Sequence, residues 1–216
     1  MSKNIVVLIS GSGSNLQAII DAINAQQING SIKKVISNKP EAYGLIRAFK
    51  SGIPDECIDH RKFESRQAFD QALMKSIDKA NPDIVVLAGF MRILTDEFVE
   101  HYLGRMINIH PSLLPKFKGL HTHKRAIEAG EKEHGASVHF VTPALDDGPV
   151  IIQAAVRIDM QDTADSLQKK VFKVEHQIYP EAIKWLCEDR IALTAQGVTL
   201  DSTLLSESGF RLQALD

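Results

Sequence analysis

Apolar residues in the first half of the chain come in short unbroken runs, separated by stretches in which they recur every third or fourth position. Ile5 to Ile9 is the first run, and a short apolar block of β-branched residues reads as a buried strand. It gives way to Ser10-Gly11-Ser12-Gly13-Ser14-Asn15, after which Leu16, Ile19, Ile20 and Ile23 fall on one helical face. A second strand is predicted from about Ile32 to Ser37, followed by a helix carrying Leu45, Ile46 and Phe49 that Gly52 ends. A weak third strand is expected over Glu56 to Ile58, and Phe69, Leu73, Met74 and Ile77 mark the next helix. Asn81-Pro82-Asp83 closes that helix, because proline disfavours helical geometry in the residue before it. Ile84 to Leu87 then reads as a buried strand and Met106 to Ile109 as a fifth, ending at His110-Pro111. The alternation predicts βαβ units and a parallel sheet.

After His110 the texture changes. Pro111 to Leu120 reads as a long loop, while Gly135 to Val141 and Val150 to Ile158 read as two strands around the turn Leu145-Asp146-Asp147-Gly148-Pro149. So short a connection favours an antiparallel pair. Thr163 to Glu188 suits a long helix with a kink or break at Pro180, and Arg190 to Leu205 a hairpin around Gly197. The expected fold class is α/β: a Rossmann-like open sheet, mostly parallel, with an antiparallel C-terminal portion. With no repeat or linker, the chain is expected to form one domain of two subregions, 1–110 and 111–216.

Composition narrows the partners. Lys plus Arg number 25 against 27 Asp plus Glu, a formal charge of −2, so no global basic field exists to hold nucleic acid or an anionic membrane. The longest uninterrupted apolar run, Ile84 to Met91, is far short of a membrane span. Cys57 and Cys187 are widely separated and lack CxxC spacing, which fits a reducing, cytoplasmic setting. Small-molecule substrates are expected.

The Ser10–Asn15 loop lies between a buried strand and a helix. Glycines let backbone approach a ligand and a helix start offers N–H groups with partial positive charge, a combination suited to phosphate; the plainer alternative is a tight turn with Ser and Asn caps. The dinucleotide fingerprint would need a third Gly where Leu16 stands and an acid where the second strand ends in Ser37-Asn38, so no nicotinamide cofactor is expected. The Gly-Lys-Ser/Thr ending of a nucleoside-triphosphate loop is also missing, which leaves a monophosphate.

In the fifth strand Asn108 and His110 share one face, at the carboxyl end where open α/β sheets place ligands. An amide donor beside an imidazole can stabilise an oxyanion and move protons at neutral pH. Asp146 and Asp147 read first as turn formers, yet a carboxylate brought close to His110 would fix its tautomer and favour its charged form. Five of the eight histidines fall between 110 and 139, but no Cys or carboxylate completes a metal spacing around His121 and His123, so no metal is expected. His139 shares a strand face with Ser137 and is read as polar support. Arg66 is either a surface charge at a helix start or a grip for a ligand carboxylate. The segment Leu87 to Leu94 leaves its strand through Gly89, where a flat ring could approach the backbone.

Taken together, the Ile5–Leu16, Val86–Leu94, Asn108–Pro115 and His134–Thr142 segments resemble the folate-dependent phosphoribosylglycinamide formyltransferases over nearly the whole chain, with Asn108-Ile109-His110-Pro111-Ser112-Leu113-Leu114-Pro115 the most specific. The resemblance implies a catalytic trio of Asn108, His110 and Asp146, with 10-formyltetrahydrofolate as co-substrate. It implies ribonucleotide binding by Gly13, Ser14, Asn15, Asn108 and Glu175. It assigns Arg66, Met91, Arg92, Ile93, Leu94, Thr142, Pro143, Ala144, Leu145 and Asp146 to the folate side. Three positions depart from the pattern: Ser12 in the glycine loop, Lys118 where many relatives have Pro, and Asp147 where Gly is common. Asp147 adds a carboxylate able to alter Asp146 or its turn.

The implied reaction is direct attack by an amine, since no serine or cysteine stands in a nucleophile elbow. The tRNA-directed formyltransferases and formyl-folate hydrolases resembling this chain carry additional domains, for which the length is expected to leave no room. A nicotinamide oxidoreductase and a non-catalytic nucleotide sensor are the readings from other classes; the Ser37-Asn38 ending disfavours the first, and the second would leave the formyl donor intact.

Overall fold

Residues Ile5 to Ile9 are wholly withdrawn from water, as a strand covered on both faces must be. They form the middle of the first of two compact units, which divide between Asn108 and Ile109. The computed structural model describes residues 2–212. In the first unit β1 (Lys3–Ile9), α1 (Ser14–Asn24), β2 (Gly30–Ser37), α2 (Tyr43–Lys50), β3 (Asp55–Cys57), α3 (Arg66–Asp78), β4 (Ile84–Leu87) and α4 (Asp96–His101) precede β5 (Met106–His110). The strands lie in the order β3-β2-β1-β4-β5, every pair parallel. Leu8 is level with Leu87, and Leu87 with Asn108, so the loops leaving β1 and β4 emerge at the level of Asn108. Leu16 and Ile19 of α1 and Phe69, Leu73 and Ile77 of α3 are fully buried, as their helical spacing predicts.

The second unit takes up the last residues of β5 and continues with α5 (Thr122–Glu128), β6 (Glu133–Phe140), β7 (Val150–Arg157) and α6 (Ala164–Cys187). β6 and β7 are antiparallel, with a register slip between Val138 and His139. A small antiparallel sheet follows, of β8 (Ile191–Thr194), β9 (Gly197–Leu200) and β10 (Thr203–Leu204), and β11 (Phe210–Leu212) then lies parallel to β7. Among the described residues eight strands belong to one mostly parallel sheet and three to the small one, which is the expected fold class. Among the described residues no helix is long and apolar enough to cross a membrane.

Three details differ from the pattern reading. Helix α6 runs unbroken through Pro180, because Val174, Ile178 and Tyr179 before it and Ala182, Ile183 and Trp185 after it are all buried. Packing on both sides outweighs the lost N–H and the ring clash. The terminal hairpin turns at Ala195-Gln196 and gains a third strand, while Gly197 opens β9. Helices α4 and α5 bury only Phe98 and Val99, and Thr122 and Ala126, too few residues to show a period.

A buried polar knot fastens the loop after β5 within the second unit. Ser137 Oγ donates to Ser112 O at 2.6 Å and accepts from Leu114 N–H at 3.0 Å and from Gln153 Nε2 at 2.9 Å. Gln153 Nε2 also donates to Leu114 O at 2.8 Å. Replacing Ser137 by Ala strips three buried groups of a partner, at about 1 to 3 kcal/mol for each left unsatisfied. Ser137→Ala is therefore expected to lower the urea midpoint by the equivalent of about 2 kcal/mol or more at constant m-value; an unchanged midpoint would show the knot to be dispensable.

Candidate active site

The glycine loop is built by close backbone approach. Gly13 sits at the N-cap of α1 with φ 70°, and a Cβ there would lie 2.6 Å from the Cα of Gly44. Gly44 N–H donates to Gly11 O at 3.0 Å and Arg47 Nε to Ser12 O at 2.8 Å, so α2 braces the loop from behind. The first intrahelical bond runs from Gln17 N–H to Gly13 O at 2.9 Å. The first N–H groups of a helix have no intrahelical carbonyl to meet, the general arrangement that suits anions. Gly13, Ser14 and Asn15 are thus brought together at this turn. Gly44 and Arg47 went unnoticed in the sequence because nothing local marks them.

Ser10 ties this loop to the segment after β4. Its Oγ donates to Asn38 Oδ1 at 2.6 Å and accepts from Met91 N–H at 2.7 Å. The Ser37-Asn38 pair, noted only for its missing acid, therefore anchors that segment. Met91 and Ile93 are exposed apolar side chains at 65% and 60%, while Leu94 is buried, so the segment presents an apolar surface. The Arg92 guanidinium lies 5.3 Å over the Phe69 ring. Asp70, beside Phe69, is buried and accepts from Thr95 N–H at 2.7 Å, which pins the segment's far end. Burial pushes the Asp70 carboxyl up, opposed by its Thr95 hydrogen bonds and by the charges of Arg66 and Arg92. Arg66 itself is exposed at the start of α3.

The second unit supplies an imidazole and a carboxylate in contact. His110 Nδ1 lies 3.4 Å from Asp146 Oδ2, with side chains only 6% and 10% exposed. His110 Nε2 donates to Phe117 O at 2.9 Å, which fixes the tautomer of the neutral ring and leaves Nδ1 facing the carboxylate. Asp146 Oδ2 also accepts from Gly119 N–H at 2.9 Å, and its Oδ1 lies 3.9 Å from His139 Nε2. Asp146 holds the left-handed φ of 48°, a conformation Asp adopts more readily than most residues. Gly148 is required two residues on, where a Cβ would come within 1.7 Å of Phe140 O. Asn108 stands two residues before His110 on β5.

The remaining expected residues fall into place unevenly. Thr142 to Leu145 form the turn leading into Asp146, with Asp147 N–H donating to Ala144 O at 3.3 Å. Glu175 is buried in α6 at 3% exposure. Asp147 points its carboxylate to the Lys118 ammonium, so two of the departures from the family pattern neutralise one another. His121 and His123 do not act as a pair: His121 is exposed at the cap of α5, whereas His123 Nδ1 lies 3.2 Å from the buried His134 Nε2. Burial pushes His123 and His139 down and His134 down to about 4.

An open, mostly parallel α/β sheet and a buried imidazole–carboxylate pair suit an enzyme that moves protons during group transfer. The family model described as formyl transferase matches residues 3–183. The chain belongs to that family and is an enzyme of formyl transfer. It is 52% identical over 207 residues to the phosphoribosylglycinamide formyltransferase of Escherichia coli strain K12, covering 96% of this chain and 98% of that one. The structure of the phosphoribosylglycinamide formyltransferase of Coxiella burnetii superimposes with a TM-score of 0.94 at 52% identity, over 98% of this chain and 99% of that one. Glycinamide ribonucleotide transformylase 1 of Symbiobacterium toebii gives a TM-score of 0.90 at 43% identity, over 92% and 94% of the two chains.

The buried His134 carries a pH signature. In the native state it stays neutral down to about 4, whereas an unfolded histidine binds its proton near 6.5. Between those values the unfolded chain holds the extra proton, so stability is full above about pH 6.5 and falls on acidification towards pH 4. At 1.36 kcal/mol per unit, this window is worth on the order of 3 kcal/mol. His134→Asn is expected to flatten the stability-against-pH curve across it, measured by urea unfolding; an equally steep curve in the variant would assign the acid sensitivity to other groups.

Proposed function

We propose that the chain transfers the formyl group of 10-formyltetrahydrofolate to the amine of glycinamide ribonucleotide. The observation that carries this reading is the buried His110–Asp146 contact at the end of the strand that bears Asn108. The likeness to phosphoribosylglycinamide formyltransferases over nearly the whole chain supports the choice of substrates.

In this reading the ribonucleotide phosphate binds at Gly13, Ser14 and Asn15, and Glu175 accepts from the ribose hydroxyls. Exposed Met91 and Ile93, with Arg92, Leu94 and the Thr142–Asp146 turn, take the folate, and Arg66 takes its carboxylate tail. Held in place, the neutral amine attacks the formyl carbon without a covalent enzyme intermediate, so positioning replaces a second-order encounter. A C–N bond forms and the formyl oxygen becomes an oxyanion. The Asn108 amide and the Nδ1–H of protonated His110 stabilise that charge. The 3.4 Å separation between His110 Nδ1 and Asp146 Oδ2 is long enough for this N–H to be shared with the oxyanion. Asp146 then takes the proton lost by the amine and passes it to folate N10 as the C–N10 bond breaks, so protons balance over the cycle.

Removing one oxyanion donor costs roughly 10²- to 10³-fold in kcat. Asn108→Ala is expected to fall in that range in a steady-state assay of folate deformylation, and Asp146→Asn to slow the proton transfer at least as severely. Both should melt within a few degrees of the parent. Near-normal turnover in both variants would remove these residues from the reaction, and deformylation without ribonucleotide would assign a hydrolase instead.

A further inference from the structure

The imidazole–carboxylate pair is held by the backbone of the loop after β5, and residues 117–120 of that loop are bound in turn by a side chain of α5. Phe117 O accepts from His110 Nε2 at 2.9 Å, and Gly119 N–H donates to Asp146 Oδ2 at 2.9 Å. The stretch that performs both tasks is backbone-strained. Phe117 has φ 56° and His121 φ 58°, with Gly119 at φ 79° between them. A non-glycine residue in the left-handed region costs about 1 to 2 kcal/mol, so two within five residues persist only where neighbours over-determine them.

Arg125 meets that need. Its Nη1 donates to Lys118 O at 2.6 Å and to Leu120 O at 3.3 Å, and its guanidinium lies 5.5 Å over the Phe117 ring. Each of these contacts falls on the strained stretch. The carbonyls it binds alternate with the groups that face the pair, so moving Lys118 O moves Phe117 O and Gly119 N–H with it. The rigid fork of a guanidinium suits two carbonyls and a ring face at once, which an ammonium cannot serve.

We propose that Arg125 is a positioning residue for formyl transfer: by pinning residues 117–121 it sets the ring orientation of His110 and the place of Asp146. The catalytic consequence rests on the function proposed above; the geometric one does not.

Arg125 is exposed on a helix, so Arg125→Ala should fold normally. The experiment compares Arg125→Ala, Arg125→Lys and the parent by steady-state kinetics, thermal melting and the NMR signals of the His110 ring nitrogens and their protons. For Arg125→Ala we expect kcat to fall by about tenfold, as for a small misplacement of reacting groups. KM for the ribonucleotide should change less than twofold, the melting temperature should hold, and the His110 Nε2–H signal should shift or broaden as its carbonyl partner moves. Arg125→Lys should recover part of both kcat and signal. An Arg125→Ala protein with parental kcat and an unaltered His110 signal would overturn the proposal, as would a loss of kcat that merely follows the unfolded fraction while the signal stays put. Were the parent itself unable to transfer formyl groups, the function would be wrong, and the His110 signal alone would still decide whether Arg125 positions the ring.

Discussion

A carboxylate with only a tenth of its surface in water must be met by donors, and Asp146 is such a group. Much of the second unit follows from that demand. The loop after β5 returns so that Gly119 can offer its N–H, and β5 ends in His110 so that Nδ1 faces the same oxygen. The register of β6 slips just before His139, the device by which an edge or site residue is re-aimed, and His139 Nε2 lies 3.9 Å from the other oxygen. Gly148 lets the turn carrying Asp146 pass against Phe140 O, which accepts from His139 Nδ1 at 2.9 Å. One buried charge therefore fixes a turn, a bulge and a loop.

The first unit answers to contact between backbones. Gly13 and Gly44 allow α1 and α2 to meet with no room for a Cβ, and Arg47 then reaches Ser12 O. Parallel pairing brings the ends of β1 and β4 level, so that Ser10 can bind both Asn38 and Met91 N–H. Asp70 closes the same segment at Thr95. An exposed apolar surface of Met91 and Ile93 is in this way held at both ends by buried polar groups.

What the sequence displays and what it conceals divide along physical lines. The run Ile84 to Leu87 is visible as a strand because burial on both faces demands uninterrupted apolar residues, and α3 is visible because its buried residues repeat at helical spacing. The one-and-a-half turns of α4 bury two residues and leave no such trace. Within the site, Asn108 and His110 stand out as polar interruptions of an apolar strand. Asp146 is indistinguishable from an ordinary turn residue until its family likeness is considered. Phe117 and Gly119 act through a carbonyl and an amide that every residue possesses, so no side chain announces them. Pro180 misleads for the opposite reason: its local cost is visible, while the packing that outweighs it is not.

The histidines around Asp146 show why their number is not a measure of positive charge. His123, His134 and His139 are all pushed down by burial, so at neutral pH they pack and hydrogen-bond as neutral rings. Lys118 is engaged by Asp147. His139 and His110 are built alike, each with a backbone carbonyl on one nitrogen and Asp146 on the other. They differ in distance, 3.9 Å against 3.4 Å, and Coulomb attraction across a site this dry rises steeply as charges close. For His139 the loss of water dominates and the ring remains a neutral prop. The shorter contact leaves Asp146 closer to His110 than to His139, so the carboxylate couples more strongly to that ring.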